Sequence, residues 1–182
     1  MKLAVKQNLK HIVIVILTVA LFFTSPIIQQ KLTLRASALE VVAVPLPALT
    51  KDARMYVDRI MLLSARDEVY QIDGWGFLIL DSKMAPTDYE RTLLLISDKN
   101  TFAVSTSNVP RKDVQTAYIN LDLALEESGF AATIPIIALP KGDYVISLLF
   151  TLPDGTQTRY DSKFELSRTF NSIQLVQQDD KR

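Results

Sequence analysis

The sequence predicts an all-β antiparallel sandwich of about seven strands with one short helix, behind a single N-terminal hydrophobic helix. Three observations carry this. Short apolar or alternating runs recur between Met55 and Leu166, with turn residues between them. Pro153-Asp154-Gly155 joins two long alternating runs, and a proline-preset φ followed by glycine is a strong hairpin signal. The 182 residues include no cysteine, so the domain must be held by an apolar core. Strands of this number and spacing give an immunoglobulin-like layout.

The central stretch is Val69–Leu80, V-Y-Q-I-D-G-W-G-F-L-I-L, with the only tryptophan between Gly74 and Gly76. It reads as two short strand pieces or one strand bent near Gly74. Trp75, Phe77 and Ile79 share one side, Leu78 and Leu80 the other. A strand apolar on both sides belongs inside a packed layer. The first reading of Trp75 is a core ring; a sugar-stacking role requires an exposed ring face.

In order from the N-terminus, Lys2, Lys6 and Lys10 precede the apolar run Ile12–Phe23, the pattern of an export signal. Extended to Ile28 the run has 17 residues, near the lower limit of about 17 for a span. Ala36-Ser37-Ala38 resembles a cleavage site but lies far from Phe23, beyond Lys31 and Arg35. An uncleaved signal anchor with the domain outside is favoured over a cleaved signal and secretion, and the lysines set that orientation. His11, the only histidine, falls in this segment, so His-based triads and His-ligated metals are excluded from the external domain.

Residues 1–38 form the signal anchor or signal peptide with a stalk. Residues 39–54, with Pro45 and Pro47, read as an edge strand or extended linker. Residues 55–166 are the sandwich, and 167–182 a polar tail with one last strand at Ile173–Val176. Within the sandwich, strands are expected at Met55–Leu63, Val69–Leu80, Arg91–Ser97, Thr101–Ser105, Phe130–Ile137, Asp143–Leu152 and Thr156–Leu166. Asn108 or Ser107 is expected to cap a helix with Pro110 in its first turn and Val114, Tyr118, Leu121 and Leu125 at helical spacing, ended by Gly129. Arg111 and Asp113 are placed to pair within that connection.

Charge is uneven. Residues 1–38 hold five basic side chains and no acid, which leaves 15 basic residues against all 20 acids in the remainder, a net of −5. An acidic domain is a poor partner for nucleic acid.

Ile72–Leu78 (I-D-G-W-G-F-L), Arg111–Val114 (R-K-D-V), Glu127–Phe130 (E-S-G-F), Lys141–Tyr144 (K-G-D-Y) and the Asp154-Gly155 hairpin follow one another in an order that resembles small β-sandwich accessory domains. These are attached to bacterial cell-envelope polysaccharide enzymes, notably glycosyltransferases of the teichoic-acid and surface-glycan type. The resemblance covers about Met55–Leu166. It implies a sandwich at the cell surface and carries over no catalytic residue.

No Walker loop, G-x-S-x-G or S-x-x-K motif occurs in the external domain. Asp73, Asp81, Asp143 and Asp161 are the acids open to a paired-carboxylate hydrolase, but aspartates are expected at turns and strand ends anyway. Asp98, Asn100 and Asp154 lack the alternation of a calcium loop. The expectation is therefore a non-catalytic, membrane-anchored interaction module with no cofactor and no metal, whose partner is a cell-envelope protein. A carbohydrate-binding module for surface glycan is the alternative, with Tyr70, Trp75, Tyr89 and Tyr118 as its candidate residues.

Overall fold

The computed structural model describes residues 39–42, 45–66, 68–80, 84–170 and 172–178. The hydrophobic N-terminal segment, and with it the expected helix and the question of cleavage, lies outside these residues, as does Asp81. Among the described residues no helix is long and apolar enough to cross a membrane.

The chain is all-β with few helices. The described strands are β1 (Glu40–Val42), β2 (Ala53–Ser64), β3 (Val69–Leu78), β4 (Glu90–Ile96), β5 (Thr101–Val109), β6 (Gly129–Pro135), β7 (Gly142–Thr151), β8 (Gln157–Arg168) and β9 (Ile173–Gln177). Every strand pair is antiparallel. The strands form one sheet in the order β2-β3-β6-β5-β4-β7-β8-β9, with β1 added beside β5, and this sheet curls into a nearly closed barrel. About seven strands in two layers were expected; nine in one continuous surface are found. The difference comes from β5, which runs on to Val109. Its first half pairs with β4 and β1, through Thr92↔Ser105 and Val41↔Phe102. Its second half leaves β4 and pairs with β6, from Thr106↔Ala132 to Val109↔Gly129. A strand that changes neighbours along its length joins what would otherwise be two separate sheets.

A second corner is turned at the other edge. Ala48–Thr50 lies parallel to β8, with Arg159 N donating to Ala48 O at 3.0 Å and Thr50 N to Arg159 O at 2.9 Å. The same chain then enters β2, where Asp52 O accepts from Ile79 N at 2.8 Å. The segment holding Pro45 and Pro47 thus contributes carbonyls to the edge of β8, Pro47 O accepting from Arg159 Nε at 3.0 Å. Prolines suit this place because no central ladder needs their missing N–H.

Alternation sets which side chains fill the barrel. Tyr144, Ile146, Leu148 and Phe150 of β7 are buried together, as are Phe164 and Leu166 of β8. They meet Met55, Val57, Ile72, Leu93, Leu95, Phe130 and Ile134 in one core. β3 is a single strand through Gly74. A Cβ on Gly76 would lie 2.5 Å from Leu148 Cδ2, and one on Gly74 2.7 Å from Phe130 Cζ, so both glycines let core rings and methyls press against the strand backbone.

The helix differs from expectation. It is α1 (Lys112–Ala117), preceded by Arg111 and followed by a 3₁₀ turn at Ile119–Leu121. Ser107 and Asn108 belong to β5, and Gly129 opens β6 instead of ending a helix. The sequence S-T-S-N-V has the polar residues of a helix cap, but here they pair across a strand ladder. The 110–128 connection then crosses the outer face of β3. Val114, Leu123 and Leu125 bury Phe77 there in a second, smaller core, with Trp75, Ile79, Tyr118 and Leu121 packed around it.

Candidate functional site

Three regions bring chemistry-bearing side chains together. The first is the corner where β4 and β5 part. Arg91 points inward there and is 6% exposed. Its Nη1 donates to Gly76 O at 3.1 Å and Ser128 O at 2.6 Å. Its Nη2 donates to Asn108 Oδ1 at 2.7 Å, Glu127 O at 2.8 Å and Gly129 O at 3.1 Å. Strands that diverge leave backbone carbonyls without ladder partners, and a guanidinium is the one side chain with enough donors to satisfy several at once. Burial lowers the Arg91 pKa from its ordinary value, yet guanidinium starts high enough to stay charged. Just outside, a pocket of about 400 Å³ is lined by Thr87, Glu90, Thr92, Ser105, Thr106 and Asn108, among others.

The second region is an ionic cluster beside α1. The register of β2 slips between Val57 and Arg59, which leaves Asp58 outside the ladder. Asp58 and Asp113 both accept from Arg111, the Asp113 contacts being 2.8 Å at Nε and 2.6 Å at Nη2. The expected Arg111–Asp113 pair is therefore present, with Asp58 as a third member from a distant strand. The hydrogen bonds from Arg111 hold Asp113 at about 2, below its ordinary 3.8, and Asp113 and Asp58 raise Arg111 further. Next along the same face, Asp73 accepts from Arg59 Nε at 2.8 Å and Gln71 Nε2 at 2.6 Å.

The third region is aromatic. Tyr56 of β2 stands opposite Trp75 of β3. Their rings are 6.3 Å apart and 20° from parallel; Phe77, two residues along β3, lies 5.9 Å from Trp75 at 19°. Tyr118 tilts against Trp75 at 5.6 Å and against Phe77 at 5.2 Å. Trp75 is half-buried, with two near-parallel rings and one tilted ring as neighbours. Of the four candidate sugar-binding residues, the fold brings only Trp75 and Tyr118 together. Tyr70 packs against one end of the main core. Tyr89 is buried: its hydroxyl accepts from Leu78 N at 3.1 Å, its ring meets Phe150 edge-on at 5.7 Å, and burial raises its pKa. Tyr56, 47% exposed, was missed. The alternation of Met55 and Val57 about it was the available signal.

The two strands that end the sheet, β2 and β9, each keep a free edge, as does the short β1 beside β5 among the described residues. Among the described residues β2 pairs only with β3, and β9 only with β8. The two approach each other near Phe164, whose ring meets Tyr56 edge-on at 5.1 Å. The register slips at Asp58 and again near Leu63 bend β2 at both ends of Arg59–Leu62. β9 reads I-Q-L-V-Q, without a charge.

No family model, no curated protein and no solved structure matches the chain.

Proposed function

We propose that this chain is a non-catalytic interaction module, anchored by its N-terminal segment with the domain outside the membrane, which takes an extended segment of a cell-envelope protein onto its free edges. The observation that carries this is β9. An edge strand exposes a row of unpaired N–H and C=O groups, and soluble proteins usually guard it with charge, proline or a bulge. β9 has none of these in its five residues, and its own Val176 is exposed. β2 presents a second edge nearby, with Leu62 exposed. An incoming strand would gain main-chain hydrogen bonds from the edge and selectivity from alternate side chains against Leu62 and Val176. In this reading the two halves joined through β5 are the layers of an immunoglobulin-like sandwich curled toward a barrel.

The glycan-binding alternative keeps one favourable observation: the exposed ring of Tyr56 neighbours Asp58. Against it, Tyr56, Phe77 and Tyr118 crowd the half-buried Trp75 ring, which leaves Tyr56 as the more open of these rings.

The test is photo-crosslinking in intact cells, with a crosslinking residue at Val176 or Leu62 of the full chain and Gln157 as control. A protein adduct specific to Val176 and Leu62 supports the module. Equal labelling at all three positions, or none, removes the edge-capture reading. Calorimetric titration with cell-envelope polysaccharide, compared between the native chain and Tyr56→Ala, decides the alternative.

A further inference from the structure

We propose that the end of the barrel bearing Leu63, Ile137 and Phe170 dips into the outer surface of the membrane that anchors the chain. The inference rests on the anchored reading above and adds which face the domain turns to the lipid.

Several loops share this end. Val69 pairs with Pro135, Ile136 N donates to Glu68 O at 2.9 Å, and Arg168 Nη2 reaches Ile136 O at 3.4 Å. Gly142 pairs with Arg168, and Lys141 Nζ lies 4.1 Å from the centre of the Phe170 ring. The β2–β3, β6–β7 and β8–β9 turns therefore come together. Beside them large apolar side chains face solvent: Leu63, near the end of β2, at 50%, Ile137 at 37% and Phe170 at 73% exposure. Scattered exposed apolar residues need no explanation, but three grouped at one end of the barrel call for one. An aromatic ring with a lysine over it suits a bilayer interface: the ring enters the apolar boundary while the ammonium stays with the headgroups.

The chain supplies the occupant. The extended span ends at Ile28 and β1 begins at Glu40, leaving Gln29–Leu39 as the link. Eleven residues reach at most about 40 Å when extended, which keeps an anchored domain close enough to rest on the bilayer. A tether of this length raises the local concentration of membrane, and three side chains then suffice where a free domain would need more. Charge does not drive the contact. Arg66, Lys99, Lys141 and Arg168 share this end with Glu68, Asp98 and Asp143, so attachment does not depend on anionic lipid or on low salt.

The absence of cysteine makes the test direct. Phe170→Cys and Gln157→Cys are made in the full chain; Gln157 begins β8 at the opposite end. Each is spin-labelled and reconstituted into phosphatidylcholine vesicles. Circular dichroism establishes that both variants fold. The expected result is a label at 170 accessible to oxygen and shielded from an aqueous nickel reagent, unchanged at 0.5 M salt, with the label at 157 open to nickel. A chain that stays in the vesicles with label 170 as open to nickel as label 157 overturns the lipid-facing end and leaves the anchor standing. A chain that does not co-sediment with vesicles overturns the anchor, and the proposal with it.

Discussion

Arg91 and Ser128, 37 residues apart in the chain, are joined by a 2.6 Å hydrogen bond from guanidinium to backbone carbonyl. Ser128 O also accepts from Gly76 N at 2.9 Å. This one carbonyl therefore ties β3, β4 and the start of β6 together where β5 changes neighbours. Three of the motif segments quoted for the family resemblance, Ile72–Leu78, Arg111–Val114 and Glu127–Phe130, meet around Arg91 and Arg111. Their residues share a structural task, which is to close the corner that lets one sheet curl on itself.

Removing Arg91 should be among the most damaging single changes in the domain. Arg91→Met keeps the stem but takes a donor from Gly76 O, Glu127 O, Gly129 O and Asn108 Oδ1, and leaves Ser128 O with Gly76 N alone. At about 1–3 kcal/mol for each buried group left unsatisfied, and allowing for water entry, the loss should exceed about 3 kcal/mol. Arg91→Lys keeps the charge but not the fork, and should recover less than half of that. Urea unfolding midpoints measure both. A midpoint for Arg91→Met within error of the native chain would show that the corner closes without the guanidinium.

Gly129 and Gly76 should respond differently to alanine. A Cβ at Gly129 would run into the backbone oxygen of Val109 and lie 2.6 Å from Arg111 Cγ. The backbone of β5 cannot retreat without breaking its pairing with β6. At Gly76 the obstacle is a leucine methyl, which can rotate away. Gly129→Ala should cost about 2–3 kcal/mol and Gly76→Ala about 1 kcal/mol or less. Thermal melts rank the two, and the reverse order would mean that the Leu148 contact is the stiffer one.

Strand existence was legible wherever alternation met a turn signal, as in β7, the Pro153–Gly155 turn and β8. The length of β5 was not. Ser105–Val109 has no apolar alternation, because its partners are Arg91 and the start of β6, and a residue whose environment is polar carries no hydrophobic period. In the sequence Arg91 is only the first residue of the strand expected at Arg91–Ser97. Its acceptors are backbone carbonyls, which leave no mark in side-chain sequence. Trp75 was placed on the correct strand side with Phe77 and Ile79, but that side faces a second core under the 110–128 connection, and only tertiary structure decides which of two apolar faces is the larger core.

The aromatic row offers a check on that second core. Trp75→Phe should be tolerated within about 1 kcal/mol, since its neighbours Tyr56, Phe77 and Tyr118 still meet a ring. Trp75→Ala should cost about 2–4 kcal/mol, below a fully buried tryptophan because the ring is only half-buried. Tyr56→Ala should cost no more than about 1 kcal/mol. Tryptophan near-ultraviolet dichroism in Tyr56→Ala should weaken while the melting temperature hardly moves. A large fall in melting temperature for Tyr56→Ala would instead make Tyr56 part of the core closure with Phe164.

Acid should act on Asp113 later than on an ordinary carboxylate. Hydrogen bonds from Arg111 hold its folded value at about 2, against 3.8 when unperturbed. A depressed carboxylate contributes stability that is fully present above 3.8 and is lost as pH falls through about 2. Within that window the Arg111 guanidinium stays charged, its pKa being raised further by its carboxylate partners. The connection should therefore loosen locally below pH 3 without unfolding the barrel. Carbon-detected NMR of the Asp113 carboxyl should give a midpoint near 2, and Arg111→Lys should move it up toward 3.8. A native midpoint already at 3.8 would show that the Arg111 fork is open in solution, and the tie between α1 and the Asp58 bulge would then have to come from apolar packing around Phe77 alone.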